Sequence, residues 1–474
     1  ARYLNRILRM ANEQEVEQTH PAVMWARTEA AKMLASQGDY QSSVKAEKML
    51  SHAMAVAQEK EAIAGQLADV LAARGDPESR LRAANLFLDL KEETGLTQAG
   101  DLRLAQMLFE VGEWNQCKRH MNDVVSRYPR VVGVRTFYIS MLLDRREFRL
   151  AKRQLTELKN LDNAQSVYAE FQARLAAAEG DMAEVRRILT SVTPDRRRLD
   201  KDNLNALLGL AALSERVGDF EYAEQLLTLY VKHRPEDSMQ LTRFVTLHGD
   251  PNRAMELLEK EFDEAPVEVA QMAVTMMRRR RQTIGTEFDE AVEKLVLSCY
   301  RKDPFEAIRM VLRAEMFEVL EQNDKAIKAY EELLARDDLS TRIRAAGNNN
   351  LAFLYALTRE NVDRALELVN ETVALIGPLS DVLDTRAVVY LALGKGPQAV
   401  EDMEMAIRMG QTPSKYFHLA QAHLMAGNPQ QALTAWEEGV AIGLDATALT
   451  SLEQDAYAEA KNQIETLQNS RAQR

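Results

Sequence analysis

Apolar residues recur along this chain as two helical faces separated by a short polar break, again and again. Residues 203–237 show the plan most plainly. Leu207, Leu210, Ala211 and Leu213 fall at i, i+3, i+4 spacing and predict one amphipathic helix. Gly218-Asp219 stops it, because glycine takes the left-handed conformation that ends a helix cheaply. Tyr222, Ala223, Leu226, Leu227 and Tyr230 predict a second helix, which Pro235 closes. A small residue in each helix, Ala211 and Ala223, lets the two approach closely. The expectation is an antiparallel helix pair about 34 residues long.

The small residue of the second helix can be followed through the whole chain. It falls at Ala46, Ala83, Cys117, Ala151, Val185, Ala223, Ala254, Ala291, Ala326, Ala365, Ala399 and Ala432, at intervals of 31 to 39 residues. Gly38, Gly75, Gly112, Gly180, Gly218, Gly249, Gly394 and Gly427 mark the breaks between helices. Unrelated helices would not keep such a period, so about twelve helix-turn-helix units are predicted over residues 21–445. Residues 2–18, with Tyr3, Leu4 and Ile7, read as a leading helix or partial unit within 1–20. Residues 193–201 (TPDRRRLDK) read as a long connection. The pattern weakens near 249–288, and residues 446–474 read as a C-terminal cap whose helix spans 449–467.

These units resemble the tetratricopeptide repeat (TPR), and the last three, ending in AWEEGVAIGL, resemble bacterial multi-repeat arrays. The resemblance implies an all-α TPR solenoid, a right-handed superhelix in which partners bind along the first helices. On that basis Arg103, Gln106, Phe137, Phe171 and Arg174 are candidate partner-binding residues, with an inter-repeat core role for the two phenylalanines as the competing reading. Arg344 with Asn349 and Asn350 forms a second candidate, suited to holding a peptide backbone. The cationic clamp of the chaperone-binding subfamily is not completed here, since the next first helix supplies Asp381 and Asp384. Phe417, His418 and Gln421 form the third candidate, with His418 expected on the surface and His423 packed. Arg278, Arg279, Arg280 and Arg281 could receive an anionic partner, or simply remain solvated near a helix C-terminus.

Composition narrows the function classes. A net charge of −12 argues against general nucleic-acid binding, which needs a basic face. The two cysteines, Cys117 and Cys299, lie far apart in the array, so buried structural thiols are expected rather than a bridge. The apolar runs are shorter than the roughly 20 residues that cross a bilayer. No phosphate loop, dinucleotide fingerprint, HExxH or CxxC is present, so no catalytic, metal or cofactor site is expected. The chain opens on ARYLNRILRM, which reads as part of a longer protein. Low cysteine usage slightly favours the cytoplasm, and a periplasmic or membrane-tethered parent is compatible with the same residues. The function expected is a non-enzymatic scaffold or assembly factor that binds protein or peptide segments. The alternatives are a recruiting arm of a larger enzyme and a self-assembling structural protein.

Overall fold

The structure is a computed structural model that describes residues 20–472 apart from 38, 58–59, 75, 163 and 196–199. The helix expected over 2–18 and the breaks at Gly38 and Gly75 lie outside the described residues, as does part of the 193–201 connection. Among the described residues the fold is all-α, a TPR solenoid of successive helix pairs with no strand. Lys201–Arg216 and Phe220–His233 form the pair read first from the sequence. Leu207, Leu210 and Ala211 of one helix and Ala223, Leu226 and Leu227 of the other are buried.

The small-residue marker is buried in every pair but one. Ala46, Cys117, Ala223, Ala326 and Ala432, among others, are fully covered. Ala291 is half-buried, and its neighbour Val292 takes the covered position. The slip falls after Pro266–Ile284, a 19-residue helix that outruns the usual first helix, so the following turn enters the next helix one residue late. Cys117 sits against the Ala105 carbonyl, its Sγ at 3.2 Å, and burial pushes its thiol up to about 11.

One turn recurs between the two helices of a pair. At Gly218 (φ +82°) the chain turns left-handed, and the amide of Asp219 then donates to the Ser214 carbonyl at 2.8 Å. This closes the helix end in the Schellman manner. Gly112, Gly180, Gly394 and Gly427 make the same turn. Gly249 does not; its φ is −86°. Arg146 (φ +57°) and Glu321 (φ +59°) make the turn without glycine, with Glu147 and Gln322 donating to the Leu142 and Phe317 carbonyls at 2.8 Å. A side chain held there costs about 1 kcal/mol. Glu321→Gly is therefore expected to raise stability by about 0.5–1 kcal/mol, and Gly218→Ala to lower it by about 1. Chemical denaturation of both variants checks the sign, and a destabilised Glu321→Gly would refute the strain.

The chain divides into two compact units, residues 97–299 and residues 1–96 with 300–474. The first holds the pairs from Gln98–Glu110 with Trp114–Arg127 through Pro266–Ile284 with Asp289–Lys302, whose last helix continues past the boundary. Polar links join its consecutive first helices: Arg174 donates to Ser140 Oγ at 3.1 Å, Arg216 pairs with Glu170 at 3.0 Å, and His248 meets Glu215 at 2.9 Å.

The second unit brings early and late helices together. Tyr40–Val56 packs on Val362–Ile376, and the Tyr40 ring lies over Gly377 so closely that an added Cβ would come within 2.7 Å of it. The last full pair is Pro413–Met425 with Pro429–Ala441. Two short 3-10 turns follow, Ala446–Ala448 and Ser451–Glu453. The final helix is Gln454–Ala472, so it starts later and runs further than the 449–467 expected. Asp445 and the Thr450–Glu453 capping box satisfy the local backbone, which is why residues 446–453 stay out of the helix.

Candidate partner-binding surface

A cavity on the first-helix face of the 97–299 unit lies between Met239–His248 and Pro266–Ile284. It measures about 430 Å³. Met239, Leu247 and Met272 supply its apolar wall, and Gln240 and Gln271 supply carboxamides from the two helices. Arg243 and Arg279 line it as exposed side chains. Neither arginine makes a hydrogen bond or ion pair within the described residues. Thr246, Thr275 and one carboxylate, Glu268, complete the lining.

The structure separates the four consecutive arginines, because successive residues point about 100° apart around a helix. Arg280 donates to the Gly249 carbonyl at 2.8 Å. Arg281 holds Asp289 with both guanidinium nitrogens and also reaches the Gly285 carbonyl at 3.0 Å. Arg278 is exposed and partnered. Arg279 alone of the four lines the cavity. The helix continues to Ile284, and Met276 and Met277 of the same stretch are fully buried.

The other candidates are distributed differently. Arg103 and Phe137 are half-buried, and Gln106 is exposed and donates to Glu110 at 2.9 Å. Phe171 is buried, with the Arg174 guanidinium 4.7 Å above its ring. Arg344 is half-buried and donates to the carbonyls of Leu334, at 3.5 Å, and Arg336, at the end of Asn323–Leu334. Asn350 donates to Tyr330 Oη at 2.9 Å, and Asn349 reaches Asn350 at 3.5 Å. These polar groups are committed largely to neighbouring parts of the fold.

Phe417, His418 and Gln421 do share one cavity, of about 320 Å³. Two of the three are core residues: Phe417 is 0% exposed and His418 is 2% exposed. The surface position expected for His418 is thus corrected. Its Nδ1 lies 2.7 Å from Asp384 Oδ1 and its Nε2 lies 2.7 Å from Glu453 Oε1. Burial alone would lower its pKa, but the two carboxylates outweigh burial, and the imidazole is pushed up to about 10. It is an imidazolium at neutral pH. Both ring nitrogens then donate. His423 is buried as expected, and burial lowers its pKa.

Arg243 is not among the candidates drawn from the sequence; its helix, Met239–His248, carries no alanine or glycine to mark a close-packed face. Sequence reading also missed the link between Asp384 and His418, although the signal was available. The two residues are 34 apart, one repeat, and so occupy the same place on consecutive first helices. Lys415 and Asp381 repeat this spacing, with Nζ 2.8 Å from the carboxylate.

No family model matches the sequence, and no curated protein matches it. Solved TPR-type structures do resemble it in fold. Yeast Tom70 is 12% identical, with 94% of this chain and 96% of that one covered and a TM-score of 0.40. The Cut9 complex with Hcn1 from APC/C gives 12% identity, 98% and 94% coverage, and a TM-score of 0.36. A tetratricopeptide repeat protein from Parabacteroides merdae gives 15% identity, 63% and 97% coverage, and 0.35. At such identities the likeness concerns fold alone. Among the described residues no helix is long and apolar enough to cross a membrane.

Proposed function

We propose that this chain is a non-enzymatic scaffold of the multi-repeat bacterial type that holds a segment of a partner protein on its first-helix face. The principal seat is the groove between Met239–His248 and Pro266–Ile284. One observation carries this reading: Arg243 and Arg279, which make no hydrogen bond or ion pair among the described residues, flank an apolar wall. Arginine and a desolvated apolar anchor dominate binding energy at interfaces. Methionine walls adapt to varied side chains. Gln240 and Gln271 can each donate to and accept from a peptide backbone. The partner chemistry that fits is an acidic segment with one apolar anchor. The chain as a whole carries −12, so the attraction is local and should weaken with salt.

Arg243→Glu with Arg279→Glu is expected to cost about 2 kcal/mol or more per reversal. Affinity capture with mass spectrometry from native extract, followed by titration of the recovered partner, checks this. A partner lost from the double variant, with unchanged helicity, supports the groove. Equal recovery by both chains would exclude it. Arg174→Glu is a less clean probe, since Arg174 is packed on Phe171 and bonded to Ser140.

A further inference from the structure

The connection between Pro429–Ala441 and Gln454–Ala472 lies against first helices of the same unit. Its turn Ser451–Glu453 contacts Thr341–Thr358. Leu452 packs against the core cluster that includes Leu351, Tyr355 and Val388. Glu453 is 4% exposed. One of its oxygens takes the His418 bond at 2.7 Å; the other accepts from Thr450 N at 2.9 Å and Thr450 Oγ1 at 2.7 Å. The chain's own leucine and glutamate thus fill an apolar seat beside a buried cation.

We propose that the first-helix face of the last three helix pairs is a recognition site for a leucine–glutamate pair, filled at rest by Leu452 and Glu453 and open to exchange with a partner segment that carries the same pair. Three features support exchange over a purely structural closure. The resident residues sit in short 3-10 turns, whose hydrogen bonding is poorer than that of a continuous helix. The adjoining cavity of about 320 Å³ gives an incoming segment a place to start. Arg359 lines that cavity, is exposed, and has no ion pair or hydrogen bond within the described residues. It also holds a φ of +57°, a conformation that costs a non-glycine residue about 1 kcal/mol. A second carboxylate on the incoming segment can pair with Arg359 before Glu453 leaves. Asp455 and Glu459 lie on the resident side of the cavity and move away with it. This site is independent of the Arg243–Arg279 groove.

The test uses the full chain and a labelled synthetic peptide copying residues 446–457, ATALTSLEQDAY. Loosening the resident by Glu453→Gln, or separately by Leu452→Ala, should tighten peptide binding at least tenfold over wild type by fluorescence anisotropy. Adding His418→Gln should abolish that gain, and a peptide carrying the Glu453→Gln change should not bind. Saturating wild-type peptide should speed amide exchange in residues 446–453 of the native chain. Equal peptide affinity for wild type and both loosened chains, or no binding to any of them, overturns the proposal. So does a concentration-dependent dimer in the loosened chains, because a second copy's segment would then be the occupant.

Discussion

Replacing His418 by alanine is expected to destabilise its unit by about 3–5 kcal/mol. The ring is buried between Asp384 and Glu453, and its charge balances both. Its removal leaves two carboxylates converging on a void. Asp384 retains some contact with water, its side chain being 18% exposed, but Glu453 is 5% exposed and keeps only its Thr450 bonds. Replacing the whole triad, by His418→Leu, Glu453→Leu and Asp384→Asn together, should recover most of the loss, since removing a buried ionic group entirely costs much less than orphaning its members. Chemical denaturation of the three chains measures the difference.

The pH dependence of that loss is also determined. His418 has a folded pKa of about 10 against an ordinary 6.5. A raised pKa stabilises the fold fully below 6.5, and the contribution fades as pH rises to about 10. Glu453 runs the other way. Burial would raise its pKa, but the bonds from His418 and Thr450 together hold it below the ordinary 4.5, so its contribution is lost on acidification. The gap between wild type and His418→Ala should therefore be widest between about pH 4.5 and 6.5 and should narrow towards pH 10. A gap that grows between pH 7 and 10 would mean the ring is neutral in the fold.

Phe417→Ala carries the second large effect, a loss of about 3–5 kcal/mol in stability. Phe417 is completely buried, and its ring lies 5.8 Å from that of Tyr457, which stacks on Trp436 at 5.2 Å. Truncation opens a void that helices on both sides cannot fill without moving. The Trp436 environment should change with it, giving a fluorescence signal beside the thermal shift. Gln421→Ala, on the same helix and half-exposed, should change stability by less than about 0.5 kcal/mol. If Phe417→Ala melts with wild type, the ring is a surface contact and does not hold these helices together.

Much of the fold was legible in the sequence because its causes are local. A helix face is set by side chains three and four residues apart, and a left-handed turn is set by one glycine. That is why Ala223, Leu226 and Gly218 could be placed from the sequence, and why Ala291 could not. There the register depends on how far the preceding helix runs before turning, and Gly285 (φ +56°) comes only after Ile284. Arg146 and Glu321 show the same limit from the other side. Tertiary packing imposes a glycine-like conformation on residues with no local preference for it.

The period alone also determined more chemistry than composition suggests. Residues one repeat apart on first helices become lateral neighbours, as Asp384 and His418, Asp381 and Lys415, and Ser140 and Arg174 all do. Only the tertiary structure decided the rest. The path of residues 442–453 follows no period, so the covering of His418 by Glu453 depends on where that connection lands. The arginines at 278–281 share one composition and one helix, yet Arg280 and Arg281 meet a carbonyl and a carboxylate while Arg279 meets open space. A sequence states the direction in which each side chain leaves its helix. What stands in that direction belongs to the neighbouring helices, and it separates a charge held within the fold from one left exposed.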